Sequence, residues 1–204
     1  MTEVCAGSIP TDDVKSAKDY VENSLVFSAR LADSLESPLL VFSGGQRREG
    51  KRGLEVSLEG LNRLLPLIEG LRVKVALEPH YRSQFQDESD YDYIFGRIDH
   101  PQLGIAVDTG HFHSACVDTK AFIRKFATKI WNVHLKDHVG TQSVNIGDGE
   151  IDLKGIFAEL IGNGYEGPLA LEIEPEDTEN LPTYVGRSFI YITGLLDELG
   201  AIYE

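Results

Sequence analysis

Two kinds of apolar pattern alternate along the chain. Short runs of about five residues rich in β-formers are Pro38-Leu-Leu-Val-Phe42, Val73-Lys-Val-Ala-Leu77, Leu103-Gly-Ile-Ala-Val107, Ile130-Trp-Asn-Val-His134 and Leu169-Ala-Leu-Glu-Ile173. Such runs are what parallel strands buried on both faces look like. A sixth candidate is at 2–6. Between them lie segments with apolar residues at helical spacing: 11–35, 57–70, 118–127, 152–163 and 181–199. Thr11-Asp-Asp13, Ser57, Asp118 and Asp152 stand at helix starts, where their side chains can accept from the exposed N–H groups, and Gly164 and Gly200 stand just past helix ends. Strands alternating with helices predict repeated βαβ units and a parallel sheet. With no low-complexity stretch and no linker, residues 1–204 read as one domain.

Composition narrows the class. Hydrophobic residues make up 42% of the 204 and charged residues 25%, ordinary for a globular protein. The net charge of −14 repels phosphate backbones, so no nucleic-acid partner is expected. No apolar run nears the roughly 20 residues that span a bilayer, and the first residues lack a signal-peptide pattern. Cys5 and Cys116 form no CxxC and are expected to be packing residues in a reduced, cytoplasmic protein.

The chemistry collects at one place in each unit. Glu78 follows Val-Ala-Leu, Asp108 follows Ile-Ala-Val, His134 ends Trp-Asn-Val, and Glu172 ends Leu-Ala-Leu. In a parallel α/β barrel the C-terminal strand ends open on one face, where active sites are built. One such residue alone is more simply a helix cap or ion-pair partner. Four at equivalent positions point to a centre for one divalent cation, and three carboxylates with one imidazole suit Mn²⁺, Mg²⁺, Co²⁺ or Zn²⁺.

At Ala76-Leu-Glu-Pro-His80, Val107-Asp-Thr-Gly-His111, Val133-His-Leu-Lys-Asp137, Asn145-Ile-Gly-Asp-Gly149 and Leu169-Ala-Leu-Glu172 the chain resembles the xylose isomerase-like (β/α) barrel superfamily. That group contains sugar-phosphate isomerases, ketose 3-epimerases, inosose dehydratases and endonuclease IV-type repair enzymes. The resemblance implies an eight-stranded TIM-type barrel, with Glu78, Asp108, His134 and Glu172 holding one metal and Glu78 and Glu172 also moving protons. His80, His111, Lys136 and Asp137 are then substrate-pocket candidates. Against that, His80 and Lys136 can equally be surface polarity, and Asp137 a cap.

Three departures from the family pattern sharpen this. Thr141-Gln-Ser143 replaces the Asp-x-His of the trinuclear repair enzymes, and Thr and Ser are not usual zinc ligands, so a three-zinc phosphodiesterase is not expected. No arginine follows Asp137 as in the ketose epimerases. The chain carries five or six βα units where a barrel has eight in about 250 residues, so the first two are expected to be missing. An incomplete barrel leaves sheet edges that favour homo-oligomers.

The basic loop Ser43-Gly-Gly-Gln-Arg-Arg-Glu-Gly-Lys-Arg-Gly53 could hold an anion or simply be a mobile solvated loop. The leading functional reading is a metal-dependent isomerase or epimerase of a sugar, sugar phosphate or related polyol carbonyl compound. An inosose-type dehydratase on the same site and a truncated, non-catalytic metal-binding barrel stay open beside it.

Overall fold

A computed structural model describes residues 2–174 and 179–203. The chain divides into two compact units, Met1–Ala106 and Val107–Glu204. The first contains β1 (Glu3–Ile9), α1 (Val14–Tyr20), α2 (Val26–Ser34), β2 (Leu39–Gly44), α3 (Arg52–Leu67), β3 (Lys74–Glu78), α4 (Glu88–Phe95) and most of β4 (Leu103–Asp108). The sixth candidate strand is therefore real. It is longer than its apolar run, because Ser8 and Ile9 extend the pairing along β2 as far as Gly44. β1, β2, β3 and β4 pair in that order, each pair parallel. Leu40 in β2 and Val75, Ala76 and Leu77 in β3 are completely buried, and the buried face of α3 (Leu54, Leu61, Leu64, Leu65) supplies more of the core. Each fully buried Leu or Val is worth about 1.5–3 kcal/mol over exposure.

The helix expected over 11–35 is interrupted. A π-helical stretch, Val21–Leu25, separates α1 from α2, and it keeps Val21 and Leu25 buried. A π-bulge adds a residue to the turn and re-phases the apolar face. α1 starts at an Asp13 cap, whose carboxylate accepts from Ser16 N at 2.9 Å. α3 begins at Arg52, five residues before the Ser57 start read from the pattern, so the end of the glycine-rich loop is helical. α4 was not foreseen, because its eight residues include three acids and little apolar repeat.

The basic loop is neither bare nor loose. Gly45 N donates to Ile9 O at 2.8 Å, and Gln46 bridges Ser83 in antiparallel fashion. Arg47 reaches Asp87 at 2.6 Å and Asp90 at 2.8 Å, while Arg48 pairs with Asp12. Lys51 lies over the Tyr93 ring. The acids that occupy these cations are distant in sequence, so composition could not foresee them.

The second unit holds α5 (Thr109–Ser114), α6 (Thr119–Phe126), β5 (Ile130–Leu135), β6 (Asp137–Val139), β7 (Gln142–Val144), α7 (Leu153–Gly162), β8 (Leu169–Leu171) and α8 (Leu181–Glu198). β5 and β8 pair in parallel, with His134 opposite Ala170. β6 and β7 form a short antiparallel hairpin. α6 and α7 start at Asp118 and Asp152, as the pattern requires. Phe112, Phe122 and Phe126 pack ring against ring, with neighbouring centroids 4.5 and 4.6 Å apart. Cys5 and Cys116 form no disulfide and are both exposed, which corrects their expected place in the packing: Cys5 lies on an edge strand and Cys116 on a turn with φ of 57°.

Candidate metal centre

The strand-end positions are real. Glu78 is the last residue of β3 and Asp108 the last of β4. His134 is next to last in β5, and Glu172 directly follows β8. In the first unit Glu78 is nearly buried, and its Oε2 lies 3.2 Å from His80 Nε2, so these two candidates form one pair.

In the second unit Asp108, His134 and Glu172 come together. Each offers one ligand atom, and those atoms lie within 4.8 Å of one another. Asp108 has no exposure and His134 only 4%. Asp108 also caps α5, its Oδ1 accepting from His111 N at 2.7 Å. That leaves its Oδ2 facing Lys136 Nζ at 3.6 Å. Glu172 is held by its backbone, whose N–H donates to Leu135 O at 3.0 Å and continues the β8–β5 pairing by one residue. Its Oε2 lies 3.2 Å from His134 Nδ1 and its Oε1 3.2 Å from Lys136 Nζ. Two carboxylates and an imidazole, mostly shielded from water, are a donor set that a divalent cation fits.

Lys136 is the residue that the linear pattern ranked too low. Only 1% of it is exposed, so it is not surface polarity. Its ammonium faces Asp108, Glu172 at 3.2 Å and Glu174 at 3.4 Å. Burial alone would lower its pKa, but Asp108, Glu172 and Glu174 together outweigh burial and raise it. Those carboxylates therefore favour the charged form of Lys136. His111 Nε2 lies 3.4 Å from the same ammonium, which places that candidate in the group. Glu174 was missed. Its only signal was its position two residues after Glu172.

Asp137 plays a different part. It is buried, and its carboxylate accepts from the backbone N–H groups of His138, Gly147, Gly149 and Ile151 at 2.9–3.2 Å. It thus holds the Gly-x-Gly loop onto the β6–β7 hairpin. A Cβ at Gly149 would lie 2.1 Å from Asp137 Oδ1, so the loop needs glycine there. Gly110 has the same kind of reason: a Cβ would come within 2.5 Å of His138 Nε2 and 2.7 Å of Lys136 Cβ. Between them Thr109 ties the β4 end to β5, accepting from Lys136 N at 2.9 Å and donating to Lys136 O at 2.6 Å. The segment Asp108-Thr-Gly-His111 is thus one positioning device.

A model of the xylose isomerase-like TIM barrel family matches residues 7–191. The chain belongs to that family. Six parallel-paired strands are described here, against eight in a complete barrel. Among curated proteins it is 29% identical over 143 residues to an inosose dehydratase of Clostridium tetani (strain Massachusetts / E88), covering 61% of this chain and 48% of that enzyme. The chain thus spans about half the length of that relative. Among solved structures, the IOLI protein with a bound zinc atom aligns with a TM-score of 0.84 at 17% identity, over 97% of this chain and 77% of that one. An L-ribulose 3-epimerase aligns with a TM-score of 0.79 at 20% identity, over 97% and 76%. At these identities the structural likeness concerns the fold. No helix among the described residues is long and apolar enough to cross a membrane.

Proposed function

We propose that this chain is a divalent-metal-dependent enzyme. It moves a proton at a carbon beside a carbonyl in a small polyhydroxylated compound: a sugar, a sugar phosphate or a related cyclic polyol ketone. The observation that carries the proposal is the grouping of Asp108, His134 and Glu172 beside the buried Lys136 ammonium. Glu78 is assigned as the fourth ligand of one Mn²⁺, Mg²⁺, Co²⁺ or Zn²⁺, because it too ends its strand with a carboxylate. When bound, such a cation polarises the substrate carbonyl as a Lewis acid.

The residues divide the remaining work. Glu172 and Glu78 take the proton from carbon and return it. Lys136, kept charged by its three carboxylates, donates toward the oxygen that gains negative charge. His111, beside Lys136, and His80, beside Glu78, bind substrate hydroxyls. Asp137 acts on the pocket by holding the Gly147–Gly149 loop.

Epimerases, isomerases and inosose-type dehydratases share this first proton abstraction. The dehydratase reading is favoured by the curated relatives and by the 3.2 Å contact of Lys136 with Glu172. Loss of water needs a base for the carbon proton and an acid for the departing hydroxyl, and that pair supplies both. Metal analysis of the purified protein, joined to inososes and ketoses incubated in D₂O, tests the proposal. About one equivalent of divalent metal is expected, with Glu172→Gln lowering turnover by roughly 10²–10⁴. Deuterium incorporation without loss of water identifies an epimerase or isomerase, and loss of water a dehydratase. Absence of stoichiometric metal refutes the proposal. Metal without turnover on any of these substrates leaves a metal-binding barrel and refutes the catalytic part.

A further inference from the structure

Asn132, His134 and Lys136 occupy alternate positions along β5 and its last step, so their side chains leave the same side of the strand. Asn132 is fully buried. Its amide Nδ2 lies 3.0 Å from His134 Nε2. The other ring nitrogen, Nδ1, lies 3.2 Å from Glu172 Oε2. The two nitrogens thus have separate surroundings: Nδ1 faces the Glu172 carboxylate and Nε2 faces Asn132.

We propose that Asn132 is a positioning residue that selects the tautomer of His134, and that its amide makes a half-turn when Nδ1 becomes a metal ligand. The inference rests on the metal-centre reading above. A neutral imidazole carries one N–H and one lone pair. An amide nitrogen against Nε2 keeps the lone pair there and the proton on Nδ1, the atom that faces Glu172. Ligation through Nδ1 requires the lone pair at that atom. One proton then leaves Nδ1 for water, one arrives at Nε2 from water, and the ring stays neutral. The new Nε2–H needs an acceptor. Rotation of the Asn132 amide by half a turn brings Oδ1 to the place of Nδ2 and supplies one. Metal-ligating histidines hold their second N–H on such an acceptor, and loss of that partner typically weakens metal affinity about 10–100-fold.

The side-chain type at 132 follows from this. Asparagine serves both tautomers. Aspartate serves only the Nε2–H form, and leucine, of nearly the same size, serves neither. This makes the role separable from packing, because Leu and Asp fill similar space with opposite consequences.

The test uses the full chain with zinc alone as probe. Zinc dissociation constants are measured for the parent, Asn132→Asp and Asn132→Leu, and the ¹⁵N resonances of the His134 ring are recorded with and without zinc, assigned by their loss in His134→Gln. The parent is expected to show Nδ1–H without zinc and Nε2–H with it. Asn132→Asp is expected to show Nε2–H in both states and to keep parental affinity. Asn132→Leu is expected to bind zinc about 10–100-fold more weakly while retaining the parental circular dichroism and unfolding transition. Parental zinc affinity in a folded Asn132→Leu, or one tautomer in the parent with and without zinc, overturns the inference. If Asn132→Leu fails to fold, Asn132→Asp decides: an Nδ1–H ring in metal-free Asn132→Asp overturns it. If the parent binds no zinc, the metal reading fails by itself. The metal-free spectra then decide Asn132's part, because identical His134 resonances in the parent and Asn132→Asp overturn it.

Discussion

Each unit of this protein contains one cation set among several acids, and the two are built differently. In the first, the Arg47 guanidinium forks onto Asp87 and Asp90 at 2.6–2.8 Å and also donates to Ser83 O at 3.2 Å. Asp90 in turn accepts from Gln86 N and Asp87 N, the second closing the cap of α4. Donors and acceptors are matched, and the planar fork holds a loop against a helix start. In the second unit the Lys136 ammonium is shared among Asp108, Glu172 and Glu174 at 3.2–3.6 Å, with no fork and a larger excess of negative charge. Three carboxylates on one compact cation leave acceptor capacity for a further positive group. A satisfied network rigidifies, whereas an unbalanced one is suited to binding.

The largest expected effect separates the two directly. Lys136→Met removes the buried cation from Asp108 and is expected to destabilise the metal-free protein by about 3–5 kcal/mol, as loss of one partner from a buried pair does. A divalent cation should restore much of that, so the upward shift of the melting temperature on adding Mn²⁺ or Zn²⁺ should be larger in Lys136→Met than in the parent. An equal shift in both proteins would break the contrast. Arg47→Met comes next. Its ion pairs are partly exposed, so about 1–3 kcal/mol of lost stability is expected, with metal content and turnover of the folded protein unchanged. A metal-dependent rescue of Arg47→Met would show that the first unit's network is not purely structural.

The smallest effect is in pH. For Lys136 burial acts to lower the pKa, but Asp108, Glu172 and Glu174 raise it above the usual value of 10.5. A raised folded-state value means that the stabilisation is fully present below about 10.5 and is lost as pH climbs through the higher folded value. For Arg47 burial again acts downward, and Asp90 and Asp87 raise its pKa further above the ordinary guanidinium range, beyond a practical titration. Above pH 10.5 the parent should therefore lose stability faster than Lys136→Met does, while Arg47→Met should track the parent. Denaturant unfolding between pH 8 and 11.5 would check this, and parallel curves for the parent and Lys136→Met would contradict it.

The parallel strands, their helices and their cap residues were readable from local pattern. Asp118 and Asp152 cap α6 and α7 where the sequence placed them, because a cap needs only a side chain three residues from an N–H. Elements without an apolar period were not readable: α4, α5 and the β6–β7 hairpin are short and are held by tertiary hydrogen bonds. The chemistry divides the same way. Glu78, Asp108, His134 and Glu172 were visible because each ends an apolar run. Asn132 was hidden inside such a run, and Asp137 resembled a helix cap until the loop 12 residues away came to meet it.

The sequence by itself determined the alternation of strand and helix and the strand-end placing of the four metal candidates, because both depend on spacings of a few residues. Only the tertiary structure decided what the charges do. Arg47 meets Asp90 across 43 residues, and Lys136 lies against Asp108 across 28. Coulombic and hydrogen-bond partners are chosen by distance in space. Two basic residues that look equally exposed on paper thus became a clasp in one unit and the charged floor of a candidate metal centre in the other.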